Sequence, residues 1–436
     1  MRRGWAALSA ATLVVLTACS GSGGGSSSSA VPTVNADPTK VSGSVTVLTN
    51  RTDQLGNGTL DKYVAEFNKT YPNVKVKFEG MKDYEGEVKI RMNTENYGDV
   101  LPIPSDLSVT RFPTFFAPLG SSAELSKQYQ WTDYATVSDK VYGIANYGTV
   151  TGFVYNKKVW ADAGVTAWPK TPEEFLADLK AIRAKGQATP YYTNYHDSWP
   201  LTQWTSAIGA PSCNEGAKDA MATTATPWTA GSDVFTVDSL LYSAVHQKLT
   251  EDDPTTTNWD NSKTLLATGK VGSMYLGSWS ISQMRDAATA AGANPDDIGY
   301  MPFPSTGGKL CTVLQPDYKY GINKHSKNQE AARAWLDWYI NKSGAAQAEQ
   351  GISSVRGTPM PSALKEFGDQ GVQLIGQKQE KLATVKKIDK GAEINLDAPD
   401  YRQKLVDIAR GAAPGDQNGY FAELNKKWSE SQKTVG

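Results

Sequence analysis

The sequence predicts an α/β protein built as two lobes, and two observations carry that prediction. From Val41 onward strand signals alternate with helix signals, beginning with a β-α-β unit; that order implies parallel strands joined by a crossover helix. The chain has 436 residues, and the part after Val41 exceeds the roughly 100–200 residues usual for one domain.

The elements follow from local chemistry. Val45, Val47 and Leu48 sit in a short β-rich run, and Asn50-Arg51-Thr52-Asp53 follows as a polar loop. Leu60, Tyr63, Val64 and Phe67 recur at the spacing of an amphipathic helix, which Pro72 stops. Val74, Val76 and Phe78 alternate with Lys75 and Lys77, the pattern of a half-buried strand. Further on, Thr171-Pro172-Glu173-Glu174 reads as a capped helix start. Thr171 can accept from a free backbone N–H, Pro172 suits the first helical position and Glu174 completes a capping box. Phe175, Leu176, Leu179 and Ile182 supply the buried face, and Gly186 ends the helix. Ala331, Ala334, Trp335, Trp338 and Tyr339 mark another helix, whose spacing makes its tryptophans core residues.

The ends carry a different message. Arg2 and Arg3 precede an apolar run, Trp5 to Leu16, shorter than the ~20 residues a membrane span needs. Leu16-Thr17-Ala18-Cys19 closes it and resembles a bacterial lipobox, with 1–18 as signal peptide and Cys19 as the lipidated residue. An ordinary secretory signal with a chance cysteine is the alternative. Residues 19–40, rich in Gly and Ser at first, read as a flexible tether to the membrane, with the ordered protein starting near Val41. The net charge is -1 with no basic stripe, which removes the electrostatic basis of nucleic-acid binding. Cys213 and Cys311 remain as a pair: a disulfide in an oxidising compartment, or two buried thiols. No metal-spaced Cys/His cluster appears, and neither a metal nor a cofactor is expected.

Several segments, in order, resemble the extracellular solute-binding proteins of sugar ABC importers, the group that includes maltose-binding proteins. They are the β-α-β opening from Val45 to Phe78, Tyr97-Gly98-Asp99-Val100, and Tyr142-Gly143-Ile144 followed by Val154-Tyr155-Asn156-Lys157. Ala163-Gly164-Val165 and Lys170-Thr171-Pro172-Glu173-Glu174-Phe175 come next. Gly269 to Met274 leads to Gly277-Ser278-Trp279, then Ile298 to Pro304, Tyr320 to Asn328 and Gly351 to Pro359. The resemblance implies a two-lobe, periplasmic-binding-protein-like fold with a multi-strand hinge and a ligand cleft between the lobes. It places lobe 1 at 41–148 plus 304–354 and lobe 2 at 149–303 plus 355–436. The first crossing falls near Tyr147 to Thr151, the return near Phe303 and the last near Ser354.

It also implies a function: an extracytoplasmic, lipid-anchored monomer that captures a sugar, by expectation an oligosaccharide, and delivers it to the membrane subunits of an ABC permease. No catalytic residue is expected. Sugars stack their C–H faces on aromatic rings and offer hydroxyls to polar side chains. Trp279 is the expected platform, with Gly277 and Ser278 leaving room for ligand; a core tryptophan is the alternative. Asn194, His196, Asp197 and Trp199 form a second candidate cluster, although His196 reads equally as structural, Asp197 as a turn residue and Trp199 as packing. In the first lobe Arg51, Asp53, Ser105 and Asp106 match positions that contact sugar in the family; Arg51 and Asp53 read equally as solvated loop charges. Tyr147 borders the first crossing and either faces the cleft as a ligand contact or packs at the hinge, and Arg356 either reaches ligand or pins the last crossing. Asp99 is expected to satisfy backbone donors. An exported carbohydrate-active hydrolase is the competing class, a surface adhesin is another, and a peptide, polyamine or phosphate is the competing ligand.

Overall fold

The structure, a computed structural model, describes residues 30–435. The signal segment, Cys19 and the Gly/Ser tract lie outside the described residues. The chain is ordered from before Val41. Pro32 is buried and its carbonyl accepts from Arg333, Val34 packs on the first core, and Asn35 N–H donates to Glu330 at 2.9 Å. Asp37 then caps the single turn Pro38–Lys40. The described fold therefore begins before Val41, because Pro32 and Asn35 find partners on helix Gln329–Lys342.

The opening β-α-β unit is present. Strand Gly43–Thr49 pairs in parallel with Val74–Gly80, joined by helix Thr59–Asn68 with Leu60 and Phe67 inside. Val100–Pro102 extends the sheet in parallel, Lys319–Ile322 pairs antiparallel with it, and Ile144–Ala145 pairs antiparallel with Lys319–Ile322 at the edge. Helix Gln329–Lys342 covers one face; Trp335 meets Phe67 edge-on at 5.1 Å, so it is core as expected. Asp99 accepts from Thr46 N–H at 2.7 Å, the backbone role its position suggested.

The second sheet is organised by one long strand, Tyr147–Asn156. Val271–Gly277, Ile298–Pro302, Cys311–Pro316 and Ile352–Ser353 all pair with it antiparallel. Its alternation divides two cores: Phe153 and Tyr155 join a large cluster on one face, Val150 and Val154 a smaller one on the other. A strand covered on both faces reads as a nearly unbroken apolar and β-branched run, as this one does. The capped helix is Pro172–Lys185, with Thr171 Oγ1 accepting from Glu174 N–H at 3.2 Å and Gly186 at φ +65°. Glu174 accepts from Lys170 N–H, one residue before the position a capping box uses. The C-terminal helices are tied in by fully buried Arg402, which donates to fully buried Asp238 at 2.9 Å. Breaking such a pair leaves an uncompensated buried charge.

Three crossings join the two sheets. Ala145 leads to Tyr147, Pro316 leads to Lys319, and Ile352–Ser353 pairs with Gly148 and Tyr147. The return crossing is a correction. Cys311–Pro316 hydrogen-bonds to Tyr147–Asn156 and, in parallel, to Gln373–Gly376, so this strand belongs to the second sheet. The chain re-enters the first lobe after Pro316, not at 304. Cys213 and Cys311 are bonded, Cα to Cα 5.5 Å, fastening that strand to the loop after Ala210.

Candidate binding cleft between the lobes

Three tryptophans distant in sequence meet on the second lobe. Trp199 opens helix Trp199–Thr202, Trp259 opens Trp259–Ala267, and Trp279 immediately precedes Ser280–Ala290. Trp199 lies 5.0 Å from Trp259 and 5.8 Å from Trp279, and Trp259 and Trp279 are 5.9 Å apart. All three are only partly buried. A helix start delivers its side chain at the edge of the layer rather than into the core, so three such starts make an aromatic surface at the lobe boundary. Gly277 serves this surface differently from expectation. A Cβ there would come within 2.4 Å of Trp279 Nε1, so the missing side chain makes room for the indole itself, not for ligand.

The loop from Thr193 to Ser198 positions Trp199. Asn194 and Ser198 take positive φ, +55° and +63°. Asp197 accepts from Trp259 N–H at 2.7 Å, locking the second tryptophan to the loop that carries the first. His196 is exposed, and its N–H donates to Thr257 Oγ1 at 2.8 Å. Asn194 is buried, its amide against Met274 sulfur at 3.1 Å, and so lies beneath the surface rather than on it. At the base of the loop Thr193 N–H donates to Glu251 at 2.9 Å. Burial pushes the Glu251 carboxyl up to about 7 despite these hydrogen bonds.

The first lobe meets this surface through Arg51. Its guanidinium holds Asp53 at 2.6 Å and Glu349 at 2.6 Å. Burial is the largest influence on Asp53 and opposes its ionisation, but the hydrogen bonds and charge of Arg51 together with the Gln54 N–H outweigh it and hold the carboxyl below its ordinary value. Lys263, seated 5.0 Å over the Trp259 ring on the other lobe, pulls in the same direction. Glu349 is buried, also accepts from Gln54, and receives Ser282 Oγ at 3.3 Å from the helix behind Trp279. Arg51 and Glu349 therefore stand where the lobes touch. Tyr147 stands beside them at the hinge, and Gly351 is required there: a Cβ would sit 2.5 Å from its ring.

The remaining expected residues are placed apart from the tryptophans. Asp106 is exposed and paired with Lys89 at 2.8 Å. Ser105 N–H donates to Glu85, whose carboxylate also accepts from Tyr318 at 2.7 Å, so Ser105 borders the second crossing. Arg356 is exposed and donates to the Ser126 carbonyl at 2.8 Å, which pins the last crossing. Sequence reasoning missed Trp259, Lys263, Glu349 and the Asp317–Lys319 segment. A signal existed for Trp259: Asn258 caps a helix that opens on an indole amid polar neighbours.

With two lobes and an aromatic surface at their boundary established, the comparison with known proteins is decisive. Residues 53–346 match the model of the bacterial extracellular solute-binding protein family. The chain belongs to that family. This solute-binding protein is 32% identical to an ABC-transporter binding protein from Bifidobacterium animalis subsp. lactis solved with mannobiose, with a TM-score of 0.85 over 92% of this chain and 96% of that one. A manno-oligosaccharide-specific solute-binding protein from the same organism, solved with mannotriose, is 30% identical, with the same TM-score and coverage. The diacetylchitobiose binding protein DasA of Streptomyces coelicolor is 25% identical over 84% of this chain and 85% of its own length.

Proposed function

We propose that this protein captures a short neutral oligosaccharide, of the manno-oligosaccharide class, between its lobes and hands it to an ABC permease. The observation that carries the reading is the meeting of Trp199, Trp259 and Trp279 at the lobe boundary, opposite the Arg51–Glu349 pair. Indole faces take the C–H side of a pyranose, while charged side chains take its hydroxyls. The two relatives solved with mannobiose and mannotriose support the ligand class.

The protein acts as a monomer held outside the membrane by lipid on Cys19, and it binds its sugar without cleaving it. Closure follows from linkage: a ligand touching both lobes favours the closed arrangement by its differential affinity for it. The lobes turn about the three crossings.

Calorimetry on the full chain tests this. The titrants are mannobiose, mannotriose, diacetylchitobiose, raffinose and a tripeptide. The expected result is roughly micromolar binding of the mannosides, about −8 kcal/mol, with the sugars recovered intact. Binding of the tripeptide alone, or release of mannose, would defeat the reading. Preference for diacetylchitobiose would keep the oligosaccharide and replace the class.

A further inference from the structure

The second crossing between the lobes carries an acid and a base that neither the fold nor the tryptophan cluster uses. Asp317 N–H donates to the Tyr147 carbonyl at 3.0 Å, which pins this segment against the first crossing. The Asp317 carboxylate accepts from its neighbour Tyr318 N–H at 2.7 Å, and its other oxygen has no protein donor among the described residues. Lys319 likewise has no ion-pair partner among the described residues, although Asp317 is near enough to favour its charge. Both residues are partly exposed, although protein packs closely around their charged ends.

Groups from both lobes surround this crossing. Glu85 holds the Tyr318 hydroxyl at 2.7 Å to one side. Arg51 lies near enough to Asp317 to favour its charge, and Asp317 in turn acts on Tyr147 and Tyr320. From the other lobe, Lys386 on helix Leu382–Ala392 brings a second positive charge towards Lys319. Burial moves both groups towards neutrality, Asp317 up and Lys319 down. That is the response of desolvated charges short of partners.

We infer that Asp317 and Lys319 are a second set of ligand contacts, at the hinge, that recognise adjacent sugar hydroxyls. One hydroxyl donates to the free Asp317 oxygen and its neighbour accepts from the Lys319 ammonium. An acid and a base together carry no net charge, and a hydroxyl alone satisfies either, so the site selects a neutral diol over an amine or a uronate. The inference rests on the oligosaccharide reading above.

The test is calorimetry on the full chain with mannotriose, its monodeoxy analogues and a cationic chitosan dimer. Asp317→Asn and Lys319→Met should each weaken mannotriose roughly 10–100-fold, the range for a hydrogen bond to a charged group. In wild type, particular deoxy analogues should lose a similar factor, and each variant should cease to discriminate against one of them. Unchanged affinity in both variants would overturn the inference while leaving the oligosaccharide reading intact. So would tighter binding of the chitosan dimer than of mannotriose. If a variant fails to fold, the deoxy analogues on wild type decide, since equal affinity for all of them overturns it. If wild type takes up no oligosaccharide, the wider reading fails and this one with it.

Discussion

Asp197 shows how one side chain can serve a site without facing its ligand. Its carboxylate holds the first N–H of the Trp259 helix at 2.7 Å, from within the loop that carries Trp199. Two indoles separated by 60 positions in the chain thereby become one surface. Trp259→Ala should weaken mannotriose by about 2 kcal/mol, roughly 30-fold, the scale of a buried aromatic anchor. A titration of the variant checks it, and a loss below threefold would place Trp259 in packing alone. Trp199 and Trp279 were legible because the family pattern surrounds them. The helix start at Trp259 was readable too, but nothing local ties its indole to the other two. Asn194 misled in the opposite sense: its type suits a sugar hydroxyl, but a turn with φ +55° folds it inward.

At the scale of elements, amphipathic spacing and capping chemistry were readable almost directly. Thr59–Asn68, Val74–Gly80 and Pro172–Lys185 all lie where their side-chain patterns put them. Cys311–Pro316 was misassigned for a physical reason. A strand's sheet is decided by its partners, and its partners here lie more than 50 residues away on either side. The loop from Thr193 to Ser198 supplies an element-scale prediction. Its base is tied to Glu251, whose carboxyl titrates near 7 in the fold and near 4.5 when unfolded. A raised value of this kind favours folding below the lower figure, and that contribution is lost as pH rises through about 7. The Glu251→Gln variant should match wild type in stability near pH 4.5. It should gain on wild type by roughly 2–4 kcal/mol above pH 8, as denaturant melts at each pH would read. A stability difference independent of pH would contradict this.

At the scale of the whole molecule, the two large sheets and the three crossings between them make a hinged body whose facing surfaces are chemically unlike. The second lobe offers indole rings, and the first offers Arg51 with its two carboxylates. The crossings between them add Tyr147, Asp317 and Lys319. The two-lobe plan was legible from length and the opening β-α-β unit. The second crossing was not, because Asp317-Tyr318-Lys319 reads in sequence as an ordinary polar turn between apolar strands. Only the approach of Tyr147 from the first crossing turns it into part of a site. A crystal structure of the protein with mannotriose is the decisive measurement for sugar capture between the lobes. A pyranose ring is expected against the Trp199–Trp259–Trp279 surface, with neighbouring hydroxyls within hydrogen-bond reach of the residues at the hinge. A sugar held elsewhere, with the three indoles bare and the lobes placed as they are without ligand, would contradict it.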